Sequence, residues 1–176
     1  MWKVGGARAA KGGSLDDVIA SAQNVVNRTK SICVGLEPCV IPALGHSNFK
    51  IEDGTMEFGV GHHGEAGTKV EKLKSASEMA QEMAETILND FDFEEGKEVA
   101  VMLSSLGATP VMELYVLYDE VEKVLAKAGH KVWKTYIGNY VTSLDMNGAS
   151  LTIVDLDDEI KELLSEPAVP IGMKNY

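Results

Sequence analysis

The sequence predicts an α/β chain of α+β character: a mixed, partly antiparallel sheet packed with helices. Three observations lead there. Segments whose apolar residues recur at helical spacing alternate with short β-branched runs. Asn147-Gly148 lies between two strand-like runs, a strong hairpin signal. Several strand-like runs also follow one another with no helix between them, which a purely parallel sheet does not allow.

Taken in order, the chain opens on Val4, Ala7, Ala9 and Ala10, helix-like residues with no preceding element to pack against. Residues 1–13 therefore read as the tail of a helix. Ser14 caps the next helix, with Asp16 and Asp17 in its first turn and Leu15, Val18, Ile19, Ala22, Val25 and Val26 at helical spacing. Residues 31–36 form a β-branched strand, and 38–54, with two prolines and two glycines, a long loop. Residues 55–60 are a second strand. Ser75 and Glu78 have capping-box spacing and open a helix with Ala76, Met79, Ala80, Met83 and Ile87 inside. Residues 98–106 are a third strand. Thr109-Pro110 starts a long helix that ends before Gly129 and buries Leu114, Leu117, Tyr118, Val121, Val124 and Leu125. Strands at 131–137, 140–144 and 150–156 follow, the last two joined by the Asn147-Gly148 turn, and Asp157 or Asp158 caps a short final helix.

Composition narrows the function. A chain of 176 residues, 45% hydrophobic and 24% charged, suits a single globular domain spanning 1–176. No apolar run approaches the ~20 residues of a membrane span. The first residues, Met1-Trp2-Lys3-Val4-Gly5-Gly6, lack a signal-peptide core, which points to the cytoplasm. The net charge of −11 argues against nucleic acid, which needs a basic stripe. Cys33 and Cys39 fit neither C-x-x-C redox spacing nor a zinc pair, and read as reduced, buried thiols.

Residues 59–67, Gly-Val-Gly-His-His-Gly-Glu-Ala-Gly, concentrate the chemistry. Four glycines leave the backbone open to close approach by a small ligand. The segment matches G-x-G-x-x-G, but no helix opens at its glycines, and Glu65 would repel a phosphate. His62 and His63 point to opposite faces of an extended backbone, so a shared metal is unfavoured. His63 with Glu65 and His46 lacks any zinc spacing. The third reading is a nucleophilic or acid–base histidine, set against an ordinary loop histidine. Residue chemistry leaves these open.

The same segment resembles the Gly-x-Gly-x-His-Gly-Glu-(Pro or Ala)-Gly motif of the substrate-binding subunit of dihydroxyacetone kinases. Ser104-Ser105-Leu106-Gly107-Ala108-Thr109-Pro110 with Glu113-Leu114-Tyr115 resembles that family's Asn-x-Leu-Gly-Ala-Thr-Pro…Glu-Leu-Tyr block. Tyr140-x-Thr142-Ser143-Leu144-Asp145-Met146-x-Gly148-x-Ser150-x-Thr152 resembles its next one, and Cys39-Val40-Ile41-Pro42 and Leu156-Asp157-Asp158-Glu159 fall in order. The blocks span 14–159 and correspond to the second domain of that subunit.

The resemblance implies that His63 holds dihydroxyacetone covalently as a hemiaminal, with Gly61, Gly64 and Glu65 binding substrate around it. His62, where the family often has an aliphatic residue, is packing or loop. The family's first half, with its Gly-His-Glu-Pro loop and acid–base pair, has no counterpart here, so 1–13 reads as a helix continuing from it. The implied function is the C-terminal component of a dihydroxyacetone (glycerone) kinase, inactive alone and oligomeric. Its partners would be a small ketose, the N-terminal half and a kinase subunit carrying ATP or ADP with Mg2+. This chain itself would bind no cofactor, metal, nucleic acid or membrane. A ligand-sensing regulatory paralogue and a four-carbon ketose substrate are the alternatives.

Overall fold

Local signals start and stop the helices. The computed structural model describes residues 1–47, 49–63, 65–91 and 96–171. Helix α1 is Trp2–Ala10, α2 Leu15–Asn27, α3 Ala76–Asn89, α4 Val111–Lys127 and α5 Asp158–Ser165. Ser14 and Ser75 each accept from the amide three residues on, while Asp17 and Glu78 reach back to the cap amides. Asp157 caps α5 through the Ile160 amide. Pro110 is itself the N-cap of α4, so the helix starts one residue later than expected. The Thr109 hydroxyl is engaged elsewhere.

The chain forms two compact units, 30–153 and 1–29 with 154 onward. In the smaller one, α1 packs on α2 and α5. Its apolar residues thus have later elements as partners: Val4 and Ala7 are buried, as are Val25, Ile160 and Leu163. Gly5 lies against Val18 and Ala22. That contact turns the stripe expected on α2 part-way round, and leaves Leu15, Ile19 and Val26 exposed. Arg28 bridges Asp155 and Asp157, and Arg8 pairs with Glu159.

The larger unit is built on a six-stranded mixed sheet in the order β3-β2-β1-β6-β4-β5. The strands are β1 Thr29–Glu37, β2 Thr55–Phe58, β3 Lys69–Lys72, β4 Glu98–Ser105, β5 Lys131–Gly138 and β6 Asn147–Asp155. Strands β1–β2 and β2–β3 pair antiparallel, with Val34 opposite Phe58 and Glu57 opposite Val70, whereas β4–β5 is parallel. The partly antiparallel sheet is therefore present. Helices α3 and α4 cover it with the faces read from the sequence: Met79, Ala80, Met83 and Ile87 on one, Leu114, Leu117, Val121 and Leu125 on the other.

Two strand expectations fail. Residues 69–72 form β3, although their Lys-Val-Glu-Lys pattern carries no strand signal. A short charged strand suits a sheet edge, where it discourages further pairing. The Asn147-Gly148 hairpin does not exist. Residues 140–144 are not a strand, and Asn147 and Gly148 begin β6, which runs between β1 and β4. Gly148 is required for close approach instead. Its φ is +153°, and a Cβ there would lie 2.1 Å from the Val34 carbonyl oxygen. Gly148→Ala should therefore cost at least about 3 kcal/mol, since backbone atoms cannot yield as a flexible side chain can. Urea unfolding of the two proteins measures it.

Candidate functional site

The glycine–histidine segment is the connection of the β2–β3 hairpin. It leaves β2 at Gly59, whose amide donates to the Cys33 carbonyl (2.7 Å), and re-enters at Thr68, whose amide donates to the Phe58 carbonyl (2.7 Å). The buried Glu57 side chain accepts from the Gly67 amide. The segment thus runs from strand to strand and not into a helix, so no row of helix N-terminal amides faces its glycines.

Within the loop, Glu65 folds back over Gly61. Its carboxylate accepts from the His63 amide (2.9 Å) and pairs with His63 Nδ1 (3.1 Å), while the Gly61 amide donates to the Glu65 carbonyl (3.0 Å). A Cβ on Gly61 would sit 2.1 Å from the Glu65 carboxylate, so only glycine leaves room for this fold. Glu65's own amide, the His63 amide and the His63 imidazole hold its carboxyl below the usual carboxylate range. An ionised carboxylate only accepts, so Nδ1 of His63 is the donor in this contact, and in the neutral ring the lone pair is then on Nε2. The His63 side chain is 89% exposed and that of Glu65 62%.

His62 behaves differently. Half-buried, it places Nε2 3.9 Å from Cys33 Sγ, and burial pushes that thiol upward in pKa. The two adjacent imidazoles therefore diverge, one into the protein and one to solvent. Beneath them Cys39, Val60, Leu106 and Met146 form a small apolar cluster, joined by Cys33. Both thiols are free.

Of the residues singled out in the sequence, Gly61, His63 and Glu65 come together, and Gly64 lies outside the described residues. His46 does not join them: its Nδ1 bonds the Ser47 carbonyl (2.9 Å). Among the described residues, no group of three His, Cys, Asp or Glu side chains could hold a metal ion.

Several supporting residues escaped the sequence reading as site components. Ser143 donates from Oγ to the His62 carbonyl (2.6 Å), and its amide donates to the Leu106 carbonyl (2.7 Å). Thr109 Oγ1 accepts from the Gly148 amide (2.8 Å). Ser104 stands where the resembling block has Asn, and its hydroxyl accepts from the amides of Tyr140 and Val141, each at 3.0 Å. The motif blocks at 104–110 and 140–148 thus meet the glycine–histidine loop in space. Their being separate motifs was the available signal; their meeting point was not.

Comparison with known proteins agrees with this architecture. The chain belongs to the Dak1 domain family, whose model matches residues 1–171. It is 40% identical over 159 residues to the dihydroxyacetone-binding subunit DhaK of a PTS-dependent dihydroxyacetone kinase from Listeria innocua, covering 90% of this chain and 48% of the relative. A D-erythrulose kinase of Mycolicibacterium smegmatis is 34% identical, over 96% of this chain and 29% of the relative. Among solved structures, the dihydroxyacetone kinase operon co-activator Dha-DhaQ superposes with a TM-score of 0.88 at 30% identity, over 94% of this chain and 51% of that one. The chain therefore spans about half the length of the Listeria subunit. Among the described residues no helix is long and apolar enough to cross a membrane.

The Glu65 cap has a definite pH dependence. A carboxyl whose folded-state pKa is depressed contributes its interaction above the unfolded value and loses it as pH falls through the folded one. The His63 amide resonance should therefore titrate with a midpoint below the ~4.3 of a free glutamate. Glu65→Gln should abolish that step in a proton–nitrogen correlation spectrum.

Proposed function

We propose that this chain is the ketose-anchoring part of a dihydroxyacetone kinase substrate-binding subunit. The observation that supports this reading is the His63–Glu65 pair: with Nδ1 donating to the carboxylate, the neutral ring has its lone pair on Nε2 of an exposed side chain. Nε2 adds its lone pair to the ketone carbon of dihydroxyacetone. The carbonyl π pair moves to oxygen, and the Nδ1 proton of the imidazolium so formed passes to that oxygen by way of Glu65 and water, so that no proton is gained or lost. The product is a neutral hemiaminal. Glycerol has no carbonyl and cannot be held this way, so the bond doubles as a selectivity filter.

With the imidazole this exposed, little of this unit encloses a bound ketose. The remaining walls and the acid–base groups acting on its hydroxyl would come from an N-terminal half, and ATP or ADP with Mg2+ would be held by a separate kinase subunit, the phosphate coming from ATP or from a phosphotransferase-system protein. Phosphoryl transfer depends mostly on positioning, which is what a covalent anchor supplies. Its relationship to an erythrulose kinase leaves room for a four-carbon ketose at the same histidine.

The similarity to an operon co-activator favours one second reading, a sensor that binds the ketose without transferring phosphate. Affinity capture separates the two: a nucleotide-bearing kinase subunit supports the enzyme, a transcription regulator the sensor. The anchor itself is tested by native mass spectrometry with dihydroxyacetone. The protein should gain the mass of one ketose, and His63→Ala should gain none. An adduct that persists in His63→Ala overturns the assignment.

A further inference from the structure

The glycine–histidine loop is fixed in shape by bonds within its own hairpin, but its placement depends on bonds from outside. Glu65 bonds Gly61 and His63 within the loop, and Glu57 and Phe58 tie the far end to β2. All of these move with the hairpin. With four glycines in 59–67, backbone freedom here is large, and internal bonds alone leave the direction of the imidazole soft. Among the described residues, two side-chain contacts reach the histidine pair from outside the hairpin. One is the 3.9 Å approach of Cys33 Sγ to His62, weak by the nature of a thiol. The other is the 2.6 Å bond from Ser143 Oγ to the His62 carbonyl, across 81 residues of sequence.

Ser143 is suited to transmit position. It is buried, its amide is held by the Leu106 carbonyl just beyond β4, and its carbonyl accepts from the Met146 amide (3.0 Å). The segment leading to it is pinned by Ser104, at the end of β4, through the amides of Tyr140 and Val141. The next residue, Leu144, has φ +53°, the left-handed region that a leucine enters at a cost. Its carbonyl passes so close to Gly107 that a Cβ there would lie 2.0 Å from it. The tight turn at 143–146 is thus held under strain, and the bond it delivers is the one to the His62 peptide, immediately before the nucleophile.

We propose that Ser143 is the positioning residue of His63: its hydroxyl ties the His62 carbonyl to the end of β4 and so sets where Nε2 stands. This rests on the reading of His63 as the ketose anchor, and the test keeps the two apart. Ser143→Ala removes the hydroxyl, and Ser143→Thr retains it. In Ser143→Ala the His63 amide and both imidazole nitrogen resonances should shift and broaden. Adduct occupancy at a fixed dihydroxyacetone concentration should fall several-fold, up to about tenfold, the loss expected of one such hydrogen bond. Ser143→Thr should restore both. Unchanged His63 resonances in a folded Ser143→Ala protein overturn the proposal, whether or not any adduct forms. So does equal loss in the Thr variant. An absent adduct in the wild-type protein, with the resonance shifts present, counts against the anchor and leaves the positioning role standing.

Discussion

Backbone meeting backbone where no side chain fits is the constraint from which the site follows. At the start of β6, Gly148 lies against the Val34 carbonyl of β1, and Gly107 lies against the Leu144 carbonyl. These contacts draw β1, the end of β4 and the 140–148 segment into one layer, closer than strands bearing side chains could pack. On that layer sits the small cluster of Cys39, Val60, Leu106 and Met146, and the glycine–histidine loop lies above it. Opening the approach at Gly148 would disturb the floor and the Ser143 turn together, because the Leu106 amide bonds the Gly148 carbonyl and the Leu106 carbonyl holds Ser143.

The loop divides two chemically identical side chains between different tasks. His62 turns inward toward Cys33, and its peptide carbonyl is held by Ser143. His63, one residue on, faces solvent with its Nδ1 occupied by Glu65. The turn in which both residues lie separates them, where the extended backbone expected from the sequence is absent. The carboxylate then favours the proton on Nδ1 over Nε2, a choice an isolated imidazole leaves open. A glycine at 61 is the condition for it, since any Cβ there would displace the carboxylate that sets the tautomer.

An imidazole this exposed encloses little by itself. The hairpin tip and its floor belong wholly to the unit of residues 30–153, and in the proposed reading they present one reactive atom rather than a pocket. That arrangement suits a surface completed by another component, in keeping with a chain that spans about half of the Listeria subunit. In the proposed reading it also suits the relatives' differing ketoses, because the covalent bond would involve only the ketone carbonyl.

The sequence by itself determined the helices, most of the strands and the chemistry of the hairpin tip. Ser14, Ser75 and Asp157 announce helix starts through bonds only three residues long, and the inner faces of α3 and α4 follow from local period. The motif at 59–67 puts a histidine and a carboxylate two residues apart among four glycines. Only the tertiary structure decided the rest. Strand β3 is a charged edge strand with no periodic signal, visible through its pairing with β2. Asn147-Gly148 has the local signature of a turn, yet serves a close approach between strands more than a hundred residues apart. Ser143 acts on His62 across 81 residues, a contact no window of sequence contains. Local patterns encode the hydrogen bonds a segment makes with itself, whereas the placement of a reactive side chain depends on bonds between segments that meet only in the folded chain.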